Sequence, residues 1–162
     1  ERGASMLHLR RALRADEICN AAAAAGATRF KALISSPTDG DAIGRITQGF
    51  LGGSTRPVID LAGNRVAESY ENLVQLDGGG LKAPINRSPN GTLLASDQFA
   101  WTGTVVAGSL SKFTPTVCND WTTTSPDASA LSGAVSVPKN WTQLTNRPCH
   151  QPAHLYCFEL VP

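Results

Sequence analysis

Four cysteines, Cys19, Cys118, Cys149 and Cys157, constrain this chain more than any other feature. The last two fall in the closing stretch CHQPAHLYCFELVP, together with His150 and His154. Thiolates and neutral imidazoles are the usual zinc ligands, so Cys149, His150, His154 and Cys157 would supply the four donors of a tetrahedral site. The same cysteines can instead close disulfides, and four of them allow three pairings. A zinc site needs the thiolates free, whereas a disulfide framework consumes them.

The pattern along the chain bears on that choice. RADEICNAAAAAGATRF reads as a helix: Asp16 is placed to cap its start, the alanines favour the helical state, and Gly26 can end it in the left-handed conformation. RFKALIS then alternates Phe30, Ala32 and Ile34 against Lys31 and Leu33, the period of a half-buried strand. Ile43, Ile46 and Phe50 predict a short second helix, PVIDL a short strand, and Tyr70, Leu73 and Val74 share one helical face. From about Asp77 onward Gly, Pro, Ser, Thr and Asn dominate, broken by the short apolar pieces FAWTGTVV, SGAVSV and HLYCFEL. This half predicts short strands in long loops, and loops of that length are functional or tied down. In the last strand Leu155, Cys157 and Glu159 alternate with Tyr156, Phe158 and Leu160, so Cys157 can point at a helix. Cys19, on the first helix, is its natural partner.

A chain of 162 residues with 41% hydrophobic residues suits one globular domain with its own core. A basic leader or linker is expected over 1–13, with the domain over 14–162. With a net charge of +1 and 6% aromatic residues, bulk composition gives no sign of nucleic-acid binding. No run approaches the eighteen apolar residues of a membrane span, and ERGASMLHLRRALR lacks the apolar centre of a signal peptide, so any export signal is expected to have been removed or to lie upstream.

The segments LRADEICNAAAAAGATRFKALISS, PVIDLAGNRVAESYENLV, AWTGT followed by CNDWTTTSP, then GAVSV and the closing CHQPAHLYCFE, in that order, resemble the endostatin-like branch of the C-type-lectin-like fold over residues 13 to 160. The resemblance implies an α+β domain with two helices, short mixed or antiparallel strands, a long-loop region and two nested disulfides, Cys19–Cys157 and Cys118–Cys149. That pairing would leave His150 and His154 without thiolates and place the protein in an oxidising compartment: secreted, periplasmic or cell-surface. Animal endostatin-like domains bind zinc through a histidine-rich amino terminus, where this chain offers His8, so zinc is not carried over. The calcium-dependent sugar triplets of the wider fold are missing: SPNG, QPAH and CNDW stand out of order. Asp97, Asn119, Asp120 and Asp127 are oxygen ligands available to calcium, but they form no motif, and no cofactor is expected. The alanine- and arginine-rich style looks bacterial, which makes bacterial surface domains of this fold the nearer comparison.

No Gly-x-Ser-x-Gly is found, DGGGLK lacks the spacing of a phosphate loop, and neither closing histidine sits in a catalytic spacing, so the chain is expected not to be an enzyme. The expected function is recognition or adhesion, binding a glycan, matrix or cell-surface protein through the long loops of residues 103–140. Trp121 would stack on a sugar while Asn119, Asp120 and Thr122 supply polar contacts; a core position is the competing reading for Trp121, and Trp101 is expected in the core. Arg10, Arg11 and Arg14 are candidate partners for polyanions, since guanidinium forks suit sulfate, against a plain reading as solvated charges. Two alternatives stand beside recognition. One is a structural, oligomerising terminal domain of a larger surface or fibre protein, with the amphipathic leader MLHLRRALR packing on a neighbouring subunit. The other is the zinc-bound domain.

Overall fold

A computed structural model describes residues 12–23, 29–47, 56–73, 81–105 and 117–160. Helix α1 (Ala12–Ala22) turns Ala15, Asp16 and Cys19 inward, the one-face spacing of three and four residues, and lies along strand β1 (Phe30–Ala32). The helix starts before the predicted cap, so Asp16 is not an N-cap. It sits in the helix interior with its carboxylate aimed at β1, where it accepts the Ala32 N–H at 2.9 Å, Lys31 Nζ at 3.1 Å and Arg45 Nη2 at 2.9 Å. One turn on, Asn20 takes the Phe30 N–H and donates to the Phe30 carbonyl. The Ile34 carbonyl accepts Arg45 Nη1 at 2.8 Å. Side chains thus bond the open edge of β1 where a strand would otherwise have to, which leaves few backbone groups unsatisfied beneath the helix.

The other edge of β1 pairs antiparallel with β7 (Cys157–Glu159), setting Ala32 opposite Cys157. Cys157 therefore reaches the helix and closes the disulfide with Cys19, as the strand period predicts. Helix α2 (Ala42–Thr47), capped by Asp41 Oδ1 on the Gly44 N–H, carries Arg45. A hairpin of β2 (Val58–Ile59) and β3 (Arg65–Ala67) follows. Its loop is organised by Asp60, which accepts the N–H groups of Ala62 and Asn64. The predicted third helical face is one turn, α3 (Tyr70–Leu73), so three right-handed helices stand among the described residues, rather than two. Gly26, Phe50 and Val74, to which helix signals were assigned, lie outside the described residues.

The loop-rich half builds an antiparallel sheet in the order β4 (Phe99–Trp101), β5 (Ser129–Ala134), β6 (Thr145–Pro148). It joins the β1–β7 pair where the Trp101 N–H bonds the His154 carbonyl and the Ser35 N–H bonds the Thr102 carbonyl. Because strand side chains alternate, this layer divides the core in two. Ala32, Ile34 and Trp101 enter one cluster with Cys19, Cys118, Trp121 and Cys149; Leu33 and Ala100 enter the other with Ile46, Leu73, Trp141, Tyr156 and Phe158. The chain after the 3₁₀ turn Pro138–Asn140 lies so close on β5 that a Cβ at Gly133 would stand 1.6 Å from the Trp141 carbonyl oxygen.

Candidate recognition surface at a left-handed turn

The second disulfide, Cys118–Cys149, closes beneath an unusual backbone. Cys118, Asn119, Asp120 and Trp121 take φ values of 52°, 50°, 54° and 62°, four consecutive non-glycine residues in the left-handed region. The turn is helical, with the Trp121 N–H bonding the Val117 carbonyl at 2.7 Å and the Thr122 N–H bonding the Cys118 carbonyl at 3.0 Å. Left-handed helical backbone costs roughly 1–2 kcal/mol per L-residue, less for Asn and Asp, so the surroundings must hold it.

They hold it at Cys118, Asp120 and Trp121. Cys118 and Cys149 are buried, and Val117 bridges to Ala130 on β5. Trp121 is fully buried, meets Trp101 edge-on with ring centres 6.0 Å apart, and donates Nε1–H to the Ser35 carbonyl at 2.8 Å. Trp121 is therefore a core anchor and not a stacking surface for sugar: burying its large ring and satisfying its one polar atom fixes the turn. Gly103 permits the close approach, since a Cβ there would meet Val117 Cγ1 at 2.7 Å and Trp121 Cζ2 at 2.8 Å. The Asp120 carboxylate accepts hydrogen bonds from Ser36 Oγ and Thr38 Oγ1, tying the turn to the loop after β1.

What remains at the surface is small and polar. Asn119 and Thr122 are exposed and bonded to each other, Asn119 Nδ2 donating to Thr122 Oγ1 at 3.1 Å and Thr122 Oγ1 to the Asn119 carbonyl. Exposed Thr38 and half-buried Asp120 adjoin them. Of the four residues predicted to contact a ligand, three stand together here, and the fold adds Ser36 and Thr38. Those two lie more than eighty positions from Asp120, and nothing local in SSPTDG marks them as its partners.

The remaining candidates are placed as follows. Among the described residues no three His, Cys, Asp or Glu side chains converge on a metal position, so Asp97, Asp120 and Asp127 are not brought together for calcium. All four cysteines are in disulfides, which removes the thiolates from the proposed zinc set. His154 bonds Gln98 Oε1 at 3.2 Å, and His150 is exposed. Arg14 pairs with Glu17 on α1, while Arg10 and Arg11 lie outside the described residues. Trp141 is buried edge-on against Tyr156.

No helix among the described residues is long and apolar enough to cross a membrane. No protein-family model and no curated protein matches the chain. The structure gives a mixed α+β chain with small antiparallel sheets, cross-linked by two disulfides of the kind that persist in oxidising surroundings.

Proposed function

We propose that the chain is a non-catalytic extracellular recognition module of the endostatin-like, C-type-lectin-like type, binding a glycan, matrix or cell-surface ligand through the face around Asn119, Asp120 and Thr122. The observation that carries this reading is the left-handed turn itself. Four residues are held in a costly backbone by a disulfide, a buried tryptophan and a bonded carboxylate, and the side chains left outside are an amide and hydroxyls. Strain of this kind collects at binding and switch sites, where a fixed geometry is worth more than local stability. Amide and hydroxyl groups on a rigid loop need no ordering on binding, which favours affinity for a polar ligand such as a sugar. The nested disulfide connectivity and the helix packed on the first strand support the fold assignment. Asp16 is taken by Arg45, Lys31 and a backbone N–H, and Asp120 by two hydroxyls, so these two carboxylates serve to hold the fold and the turn.

The test is an array of glycans and matrix polymers probed with the oxidised domain and with its Asn119→Ala and Thr122→Ala variants. Binding by the parent that falls in both variants supports the assignment. A parent that binds no array member, or variants that bind as well as the parent, removes the turn from recognition.

A further inference from the structure

The turn over residues 88–91 is closed by the Gly91 N–H on the Ser88 carbonyl at 2.8 Å, and it leaves Asn90 and Gly91 exposed. Of the eight asparagines in the chain, Asn90 alone precedes a glycine. Asparagine is thermally labile because the next backbone nitrogen can attack its side-chain amide carbon, and only glycine puts no side chain in the way of that attack.

The local bonds set this amide apart from the others. Asn90 Oδ1 accepts the Ser88 hydroxyl at 2.5 Å and the Thr92 N–H at 3.1 Å, while its Nδ2 has no hydrogen-bond partner among the described residues. Asn20, Asn64, Asn119 and Asn140 each donate through Nδ2 instead, which holds the nitrogen that would have to leave. Two donors on Oδ1 polarise the amide carbon and stand where negative charge builds up during the attack, as in an oxyanion hole. A cation adjoins them, since Arg87 Nη1 donates to the Gly91 carbonyl at 3.1 Å. The bond from the Gly91 N–H to Ser88 opposes the reaction, because that nitrogen is the nucleophile. It is one bond at an exposed turn, where water exchanges for it at small net cost.

We propose that Asn90 is a self-modification site, at which the chain converts its own amide to a carboxylate through a cyclic imide, with water as the co-reactant. The Gly91 nitrogen gives its proton to solvent and bonds to Asn90 Cγ. The Cγ–Nδ2 bond breaks, and the nitrogen takes a proton from water and departs as ammonia. Water then opens the imide: addition at Cγ gives aspartate, and addition at the main-chain carbon gives isoaspartate, whose backbone runs through Cβ. Either product adds one negative charge beside Arg87, taking the formal net charge from +1 to zero. Aspartate keeps the donors of Ser88 and Thr92 as charge-assisted bonds, whereas isoaspartate lengthens the backbone inside the turn.

The test holds the oxidised domain in mildly alkaline buffer beside the free peptide SPNGTLL, and follows both by peptide mass mapping with aspartate and isoaspartate separated. Asn90 is expected to convert within about tenfold of the rate of the peptide, giving both products, while the other asparagines stay intact. A Cβ at Gly91 meets nothing within 4 Å, so Gly91→Ala is accommodated in space, and it should slow the conversion about tenfold or more. Conversion in the domain more than about tenfold slower than in the peptide overturns the inference, because the turn then protects the amide. Another asparagine converting as fast as Asn90 overturns it as well, and aspartate without isoaspartate overturns the imide route. The parent alone decides these outcomes, so a variant that fails to fold does not matter. No ligand enters the measurement, which therefore stands or falls apart from the recognition reading.

Discussion

Trp121 Nε1 lies 2.8 Å from the carbonyl oxygen of Ser35, joining positions 86 apart in sequence and locking the left-handed turn onto the end of the first strand. Replacement by Phe keeps most of the apolar volume but leaves that buried carbonyl short of its donor and opens a gap beside Trp101. Trp121→Phe is expected to cost about 3 kcal/mol in urea unfolding. A cost below about 1 kcal/mol would show that the turn stands without this bond.

Asp16 and Arg45 depend on each other unequally. Asp16 accepts from Lys31 and the Ala32 N–H as well as from Arg45, while the buried Arg45 guanidinium faces the Asp16 carboxylate on one side and the Ile34 carbonyl on another. Asp16→Ala removes one partner of a buried ion pair and the acceptor of a buried N–H, and should destabilise by about 3–5 kcal/mol. Arg45→Met, which removes the charge and restores apolar volume, should cost clearly less. Denaturation of the two variants side by side checks the order.

Gly133 faces the backbone of Trp141 with no room for a methyl group. The obstacle is a carbonyl rather than a movable side chain, so Gly133→Ala has to push the 141–142 segment off β5. Among the contacts broken is the 2.6 Å bond from Thr102 Oγ1 to the Thr142 carbonyl. A loss of about 3 kcal/mol or more is expected, and Tm from calorimetry reports it.

Asp60 gives a pH dependence of known sign. Partial desolvation opposes its ionisation, but the Asn64 side chain, the Asn64 and Ala62 N–H groups and the Arg87 charge outweigh it and hold the carboxyl below its usual range. A carboxyl lowered in the folded state stabilises the fold above its unfolded pKa of about 4 and loses that contribution as pH falls through the folded value. Asp60→Asn should thus reduce the stability lost on acidification below about pH 4 while leaving the slope between pH 6 and 8 unchanged. Unfolding free energies of both proteins across that range make the comparison.

The parts of this fold that were legible in the sequence are those set by local period. The alternation around Cys157 placed its sulfur toward the first helix, and the alanine-rich run gave that helix. Strand β6, TNRP, went unread because it carries no apolar alternation and ends in proline, which an edge strand tolerates and a central one does not. Asp16 had the composition of a cap, and only Arg45, 29 positions away, makes it an interior ion-pair partner. CNDW gives no glycine to mark a left-handed turn; the disulfide and the Trp121 pocket impose that backbone from outside the segment. The same pocket is why Trp121 belongs to the core while its neighbours Asn119 and Thr122 stay at the surface.

The proposed recognition role requires the Cys118–Cys149 bond to hold the turn in a binding geometry. Its most direct test compares ligand binding by the parent with that by a Cys118→Ser, Cys149→Ser double variant that keeps Cys19–Cys157. Removing the bond should cost roughly 3–4 kcal/mol for a loop of this length, so folding of the variant is verified first by its NMR spectrum. The expected result is a folded variant whose array binding is lost as the turn relaxes from its left-handed backbone. A folded variant that binds as tightly as the parent would contradict it.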